Sequence, residues 1–486
     1  MFFYSLDRLN QNGNILRNFK LGGVVKDSWS NADDALRSAQ EIIKDQPKPS
    51  VSSFSPFPMV PPVAGMIGPD SISQTIAVQK SLNSYELPQF SYAEKASVLK
   101  SEFPYLVHLL PSNTQLAKAL LDILVAYSWS YISVVTTEDY NGIDLHNEFT
   151  YFLKENHICI ATQGMLPKDA DEARFDGVIY DLSRYDKARV ILCLCDYRTV
   201  RGLLLAIKRR GMEGQFVMVG ANDWVRQPSV VRDVEGAAHG GLSLFQSYEP
   251  VTDFDDYFRS LRPESNHRNP WFKEYWEQKF SCRILGMPHD SNYSKACTGD
   301  EQIRTEFEES HDYGLIHKAV NAIAWGLHRI DVQECGERRN CDVMRLINGE
   351  RLLGYIRQTL QLENSPAGSI WFDEDGEPKA VYAILNYQHI FDGSITGSYR
   401  PVQVGIWNND QLEMDHHPIQ WPLGSTKEGM GPPQSVCSQP CSKDYIRVLQ
   451  HQWSCCWICV PCGPGEISVD EYTCVGLTRT VRPKMF

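Results

Sequence analysis

The chain has 486 residues, 42% of them hydrophobic, which predicts two or three hydrophobic cores because single cores stop growing at about 250–300 residues. Its formal net charge of −13 argues against a nucleic-acid partner, since an acidic surface repels the phosphate backbone. The sequence has no run of about 18 apolar residues that could span a membrane. Asp7 and Arg8 also interrupt the apolar stretch that a secretory signal peptide would need.

Residues 1–250 alternate between strand-like and helix-like patterns. Short apolar runs predict strands, and apolar residues three and four apart predict helices. The expected strands are residues 63–67, 87–92, 105–110, 131–135, 157–161, 189–194 and 216–220, and the expected helices include 76–82, 116–124, 149–153 and 199–210. A repeat of about 30 residues is typical of βαβ units with parallel sheets.

Two such series, before and after about Trp129, indicate two doubly wound lobes of the α/β class. Ligands of such folds bind outside the carboxyl ends of the strands, so a crevice between the lobes is the expected ligand site.

The chain after Pro250 becomes helical and aromatic. Two helical stripes are predicted to pack into a core; they consist of Phe254, Tyr257 and Phe258, and of Trp271, Phe272, Tyr275, Trp276 and Phe280. Residues 316–330 predict a long buried helix, and residues 424–433, rich in Gly and Pro, predict a linker.

The cysteines are unevenly distributed: seven of the 14 fall between Cys437 and Cys474. Such density in about 50 residues is typical of secreted modules that disulfides hold together in place of a core. A zinc site is the alternative, but adjacent Cys455 and Cys456 fit poorly around one tetrahedral ion. The sequon at Asn292 predicts a glycosylation site. The sequence contains no Walker loop, H-E-x-x-H or G-x-S-x-G motif, so we expect no enzyme, cofactor or metal site.

The cysteine-rich segment resembles that of the metabotropic glutamate receptors, which are class C G-protein-coupled receptors. The specific motifs are 435–441 (SVCSQPC), 454–462 (SCCWICVPC) and 470–474 (DEYTC). Shorter matches follow in the family's order at 67–69 (IGP), 110–112 (LPS), 199–204 (TVRGLL), 268–272 (RNPWF), 297–299 (CTG) and 371–374 (WFDE). The phosphoinositide-coupled group is the most similar, although the resemblance is incomplete at both ends of the chain.

The resemblance implies a bilobed Venus-flytrap domain of the type I periplasmic-binding-protein kind. It would occupy residues 1–428, with lobe 1 about 1–112 and 248–378 and lobe 2 about 113–247 and 379–428; an incomplete cysteine-rich domain would follow at 435–486. It also implies seven disulfides: Cys159–Cys455, Cys193–Cys195, Cys282–Cys297, Cys335–Cys341, Cys437–Cys456, Cys441–Cys459 and Cys462–Cys474. The first would pass lobe closure to the stalk.

The same resemblance implies a receptor on the extracellular face of the plasma membrane, anchored through a segment that the printed sequence lacks. It implies a homo- or heterodimer through lobe 1. A soluble decoy and a dimer partner that has lost ligand binding are the alternative functions.

The ligand-binding positions of the family are mostly replaced in this sequence. A carboxylate-binding serine position holds Ile72, between Ser71 and Ser73, and a threonine position holds Lys95, near the carbonyl group of Ala93. These residues would surround the ligand's α-carboxylate.

The remaining positions would surround the ammonium group and the distal acid. Two aspartates are replaced by Asn113 and Asn222, a stacking tyrosine by Asn141 next to Tyr140, and a lysine by Asp312, whereas Asp196 keeps an acid. Simpler functions are open for several of them: helix capping for Asn113, Ser71 and Ser73, a turn at Asn222, and a solvated surface position for Asp312 and Lys95.

The replacements predict weak glutamate binding. Each Asp-to-Asn change removes a charge-assisted hydrogen bond of about 1.5–3 kcal/mol, and Asp312 would repel a distal carboxylate. Together these losses exceed the ~8 kcal/mol of a micromolar complex. We therefore expect a small-molecule ligand, with amino acids as candidates, and no useful affinity for glutamate.

Overall fold

The structure is a computed structural model that describes residues 1–46, 61–93, 102–246, 251, 253–286, 293–303, 311–336, 338, 341–360, 372, 378–391, 397–408, 410–415, 418–422, 431–450 and 455–476. Its helices are, in chain order, α1 (Phe2–Gln11), α2 (Ala32–Ile43), α3 (Ile72–Leu82), α4 (Asn113–Ala126), α5 (Tyr140–Glu155), α6 (Glu172–Ser183), α7 (Tyr197–Arg209), α8 (Pro228–Val231), α9 (Glu235–Ala238), α10 (Phe254–Ser260), α11 (Phe272–Phe280), α12 (His311–Ile330), α13 (Asp342–Arg345) and α14 (Gly349–Leu360).

The described strands fall into four sheets. They are β1 (Met66–Ile67), β2 (Gln89–Ser91), β3 (Leu106–His108), β4 (Tyr131–Thr137), β5 (Cys159–Leu166), β6 (Val190–Leu194), β7 (Val217–Gly220), β8 (Leu242–Gln246), β9 (Val381–Ile390), β10 (Ser398–Asn408), β11 (Gln411–Met414), β12 (Tyr445–Leu449), β13 (Trp457–Pro461), β14 (Glu466–Ser468) and β15 (Cys474–Gly476). None of the described helices is long and apolar enough to cross a lipid bilayer.

The chain divides into two compact units. Unit 1 comprises Met1–Glu94, Val98–Leu110 and Tyr248–Lys379, and unit 2 comprises Lys95–Ser97, Pro111–Ser247 and Ala380–Phe486. The change of unit after Leu110 corrects the interpretation that a new series begins near Trp129. Helix α4, which precedes Trp129, already belongs to unit 2. Trp129 is fully buried in the same core as α4.

Unit 1 contains a parallel three-stranded sheet in the order β1-β2-β3. Its main core joins the apolar faces of α1, α12 and α14 to β2 and β3, and a second cluster joins α2 to α3. The aromatic stripes behave largely as predicted, because Phe254, Phe272 and Trp276 are buried, whereas Trp271 is 36% exposed.

Unit 2 is built on an eight-stranded sheet in the order β11-β10-β9-β8-β7-β6-β4-β5. The strands β5, β4, β6, β7 and β8 run parallel, and β9 to β11 add antiparallel strands from the end of the chain. Every residue of β6 is buried, as expected of a central strand covered on both faces. Its two cores hold α4 and α5 on one face, and α6 and α7 on the other.

Three helices of unit 2 begin in the same way. An aspartate follows a parallel strand and its carboxylate accepts a hydrogen bond from a backbone N–H of the first turn: Asp139 for α5, Asp171 for α6 and Asp196 for α7. A carboxylate satisfies one of the free N–H groups there and interacts favourably with the helix dipole.

The cysteine-rich module follows β11 and forms two small antiparallel hairpins, β12–β13 and β14–β15. Between residues 436 and 476, Cys455 is the sole buried side chain in the described part of the chain. The predicted fold class, α/β with a small disulfide-rich module, is confirmed.

Candidate functional site

The carboxyl ends of the parallel strands in unit 2 meet at one edge of the sheet. The chain leaves the carboxyl end of β4 towards β5 and leaves the carboxyl end of β6 towards β7, on the opposite side, so the direction of the connections reverses between β4 and β6. Ligands of open α/β sheets bind at such a reversal of strand order. The residues that follow β4, β6 and β7 at this edge, 138–144, 195–197 and 221–223, together with the start of α4, form what we call the ligand edge.

Asn113 lies at the ligand edge but does not cap its helix, which corrects the capping interpretation. Ser112 holds the N-cap position of α4, without a side-chain capping bond. Asn113 instead donates from Nδ2 to Asn141 Oδ1 at 3.0 Å and to Asp144 Oδ2 at 2.8 Å. Both N–H donors of this buried amide are therefore used by side chains of α5.

Asp196 retains an acid, and its carboxylate serves the backbone. It accepts from the Thr199 N–H at 2.7 Å, while its own N–H donates to Thr137 Oγ1 at 3.0 Å. Thr137 Oγ1 in turn donates to Thr199 Oγ1 at 2.9 Å. The end of β4 and the start of α7 are thereby fixed to each other.

Asn222 follows β7 in a bend, where its Nδ2 donates to the Cys195 carbonyl oxygen at 2.8 Å. Its Oδ1 is buried without a hydrogen-bond partner among the described residues. Next to it, the Tyr197 hydroxyl donates to Asp223 Oδ1, and Gln227 donates to Asp223 Oδ2 at 3.3 Å. The turn interpretation of Asn222 is thus incomplete, since the amide also holds the strand end of β6.

Tyr140 and Asn141 begin α5, and Tyr140 is 50% exposed. The helix start is held by Asp139, which accepts from the Gly142 N–H at 2.8 Å and pairs with Lys168 at 2.9 Å. This ion pair neutralises one carboxylate at the ligand edge.

His146 lies one turn further along α5, with Nδ1 3.1 Å from Thr136 Oγ1. Burial lowers the pKa of His146 below its usual value, so the ring is neutral at pH 7 and adds no positive charge to the ligand edge.

The corresponding positions of unit 1 follow β1 and β2. Ser71 holds the N-cap position of α3 but makes no side-chain capping bond; its Oγ lies 3.4 Å from Ser73 Oγ. Ile72 is buried, and the buried Ala93 donates its N–H to Ser91 Oγ at 3.2 Å. The buried side chain of Ile72 offers apolar surface and no hydrogen-bond donor at this position.

Three predicted residues have no structural account. Lys95 and Asn292 lie outside the described residues, and Asp312 is described only as part of the α12 backbone. Their assignments stay predictions.

Four residues of the ligand edge were not identified from the sequence: Asp139, Asp144, Tyr197 and Asp223. A cap signal was available for Asp139, which separates a strand from a helix. Asp144 lies three residues after Asn141, so both face the same side of α5. No local signal indicates the pairing of Tyr197 with Asp223, which belongs to a different element.

The structure contains seven disulfides, which join the same cysteines that the resemblance pairs: Cys159–Cys455, Cys193–Cys195, Cys282–Cys297, Cys335–Cys341, Cys437–Cys456, Cys441–Cys459 and Cys462–Cys474. Glu301 lies beside Cys282 and Cys297 in a spacing that could hold a metal ion. These two sulfurs are bonded to each other and are not thiolates, so the group offers a metal ion only the Glu301 carboxylate.

Two family models match the chain. The model described as the receptor family ligand binding region matches residues 2–390, and the model described as the nine cysteines domain of family 3 G-protein-coupled receptors matches residues 432–477. Both are receptor domains, and neither describes an enzyme. The family 3 receptor domain implies an extracellular location.

Proposed function

Because the chain belongs to the family of receptor ligand-binding regions and continues into the nine-cysteine domain of family 3 G-protein-coupled receptors, we propose that it is the extracellular ligand-binding part of a receptor similar to the metabotropic glutamate receptors, with a ligand other than glutamate. We propose the ligand edge of unit 2 as one part of its binding site. A small molecule with polar groups, with amino acids as candidates, is the proposed ligand class.

The proposal that glutamate is not the ligand rests mainly on the hydrogen bonding of Asn113. An α-ammonium group is bound best by a carboxylate, since charge-assisted bonds are about twice as strong as neutral ones. Asn113 is neutral, and both of its donors are bound to α5. Asn222 is also neutral, and Asp196 already caps α7. The groups at these three positions therefore offer an ammonium ion little net attraction.

The test is the binding of glutamate to the full chain. A ligand present at about 100 times its Kd stabilises a protein by about 2.7 kcal/mol, which raises the Tm of a domain of 150–250 residues by about 5–10 °C. We expect no such rise at about 1 mM glutamate and no binding heat in calorimetry; micromolar binding would contradict the proposal. Screening the other amino acids in the same assay identifies the ligand.

A charge-exchanged variant makes the test sharper. Asn113→Asp combined with Asp144→Asn moves the carboxylate by one hydrogen bond and keeps the local charge unchanged. Adding Asn222→Asp restores the second acid. We expect the triple variant to bind glutamate more tightly than the wild-type chain, by about tenfold for each recovered charge-assisted bond. The exposed Asn156→Asp is the control for added charge alone.

The same internal bonding also favours a second candidate, a receptor subunit that has lost ligand binding and acts as a dimer partner. A chain that shows no thermal shift with any amino acid, but forms dimers in analytical ultracentrifugation, would support this function over the first. We propose unit 1 as the dimer contact in both cases.

A further inference from the structure

Ser435 joins the cysteine-rich module to the amino ends of two strands in unit 2. It is fully buried, and its Oγ donates to the Tyr131 carbonyl oxygen at 2.6 Å. The same Oγ accepts from the Arg189 N–H at 3.0 Å and from the Val190 N–H at 3.2 Å. The Tyr131 N–H donates to the Ser435 carbonyl oxygen at 2.9 Å. We call this set of four bonds the Ser435 clasp.

The clasp uses the whole hydrogen-bonding capacity of the hydroxyl group. A serine hydroxyl has one donor and two acceptor sites, and all three are occupied by backbone groups. The pairing of β4 with β6 begins only at Ser133 and Ile191. Before that point the two described strands share no paired residues, and Ser435 forms hydrogen bonds to the backbone of both strands instead. No other side chain of this size could satisfy the three groups, because alanine has no polar atom and cysteine bonds weakly.

Two further contacts surround the clasp. Trp129, fully buried beside β4, donates its Nε1–H to the Pro433 carbonyl oxygen at 2.7 Å. Lys187, which precedes β6, donates to the Cys437 carbonyl oxygen at 2.8 Å. Residues 433–437 are therefore bonded on both sides to the amino ends of β4 and β6.

The clasp and the disulfides close a ring. Tyr131 of β4 pairs directly with Cys159 of β5. Cys159 is bonded to Cys455, and the adjacent Cys456 is bonded to Cys437, two residues after Ser435. The module is thus attached to three neighbouring strands by two routes, a disulfide at β5 and hydrogen bonds at β4 and β6. A single bond allows rotation about its axis, whereas two separated attachments prevent it.

The strands connect this joint to the ligand edge. β4 runs from Tyr131 in the clasp to Thr137, and β6 runs from Val190 in the clasp to Leu194, next to Asp196. A seven-residue strand spans about 20 Å, and it cannot lengthen much because its backbone is already nearly fully extended. The clasp and the ligand edge therefore lie at opposite ends of the same two strands.

We propose that Ser435 is a positioning residue that fixes the cysteine-rich module in one orientation on unit 2, independently of the Cys159–Cys455 disulfide. Any displacement of the ligand edge of β4 and β6 is then passed to the module without an intervening hinge. The relevance to signalling rests on the proposed receptor function, but the joint itself does not.

Hydrogen–deuterium exchange of the full chain tests the joint without any ligand. Ser435→Ala leaves two backbone N–H groups and one carbonyl group without a partner. We expect the amides of Tyr131, Arg189 and Val190 to exchange at least about tenfold faster, with the exchange of unit 1 unchanged. The matched control is Ser442→Ala, at an exposed serine of the same module, which should leave all these rates unchanged.

A variant without the Cys159–Cys455 disulfide separates the covalent attachment of the module from the hydrogen-bonded one. In a Cys159→Ser, Cys455→Ser double variant we expect the three amides to keep most of their protection, because the clasp remains. Exchange as fast as in Ser435→Ala would overturn the claim of independence. Equal rates for Ser435→Ala and Ser442→Ala would overturn the role of the hydroxyl.

Trp129→Phe provides a second variant in case Ser435→Ala fails to fold. It keeps an aromatic ring in the core and removes the Nε1–H donor to Pro433. We expect a smaller acceleration at the Tyr131 amide, with Arg189 and Val190 nearly unchanged; no acceleration at Tyr131 would contradict the joint. Glutamate binding enters none of these measurements, so their outcome is separate from that of the ligand test.

Discussion

Gly142 lies in the first turn of α5, close to the backbone at the end of β4. A Cβ atom there would collide with the Thr137 carbonyl oxygen and lie 3.3 Å from the Leu194 carbonyl oxygen. The contact atoms belong to the backbone and cannot rotate away. A side chain at this position would push the start of α5 off the ligand edge.

We expect Gly142→Ala to lower the free energy of unfolding by about 1–3 kcal/mol, as overpacking does in other tightly packed sites. Urea denaturation followed by circular dichroism measures the change. Gly177→Ala is the matched control, because a Cβ atom there meets nothing within 4 Å and the position is exposed on α6. Alanine should be neutral or slightly stabilising at that position; equal losses in the two variants would contradict the steric explanation.

His317 is one of the residues that give unit 1 a pH dependence. Its Nδ1 lies 2.8 Å from Ser5 Oγ, and burial, followed by the charges of Arg8 and Lys318, lowers its pKa from 6.5 to about 4. The unfolded chain thus binds a proton at a higher pH than the folded chain does. Stability is therefore complete above about pH 6.5 and is lost as the pH falls towards 4.

The expected loss between about pH 7 and pH 5 is on the order of 1–2 kcal/mol, after allowance for solvent screening at this partly exposed ring. His317→Gln should remove this part of the pH dependence in urea denaturation. His267→Gln, at an exposed histidine, should leave it unchanged. A pH profile that is the same for all three proteins would rule out His317 as the origin.

At the scale of elements, the repeated unit of strand, aspartate and helix organises the ligand edge. Asp139, Asp171 and Asp196 each cap the helix that follows a parallel strand. The caps fix where each helix begins, and they thereby position Asn141 in the first turn of α5 and Tyr197 in the first turn of α7. A capping side chain at position 196 therefore has a function in the fold of this edge before any ligand is considered.

We expect Asp196→Ala to cost about 1 kcal/mol of stability, the usual value of a lost helix cap, whereas Asp196→Asn should cost little because asparagine caps equally well. Thermal denaturation of both variants measures this difference, with Asp171→Ala as the comparison at a second cap. A loss for Asp196→Asn as large as that for alanine would mean that the charge, and not the cap, is what the fold requires.

At the scale of the whole molecule, the disulfides fall into two environments. Cys193 and Cys195 are buried at the end of β6, with exposures of 0% and 8%. Cys459 is exposed, and its partner Cys441 and the Cys462–Cys474 pair are partly exposed. Thiol–disulfide exchange requires a thiolate to reach the sulfur, so access decides the order of reduction.

We expect a mild reductant to open Cys441–Cys459 and Cys462–Cys474 before Cys193–Cys195. Alkylation of the released thiols followed by peptide mass spectrometry gives the order. The module should then lose its structure while unit 1 and the eight-stranded sheet of unit 2 stay folded, because the described part of the module has almost no buried side chains of its own. Labelling of Cys193 before Cys459 would show that exposure does not control the order.

The sequence by itself determined the features that depend on neighbouring residues. Alternation and apolar runs are local, so β2, β4, β6 and β7 lie where the pattern predicts them, within a few residues. The density of cysteines likewise indicated a module held together by disulfides, because a segment with so few apolar residues cannot form a core.

Tertiary structure alone decided which distant residues meet. The bonds of Asn113 to α5 and of Ser435 to β4 and β6 join positions far apart in the chain, and no local spacing indicates them. The return of the chain after Ala380 to complete the sheet of unit 2 has no local signal either, and only the family resemblance implied it. Hydrogen-bonding capacity is a property of each residue, but its partner is set by how the strands are ordered in space.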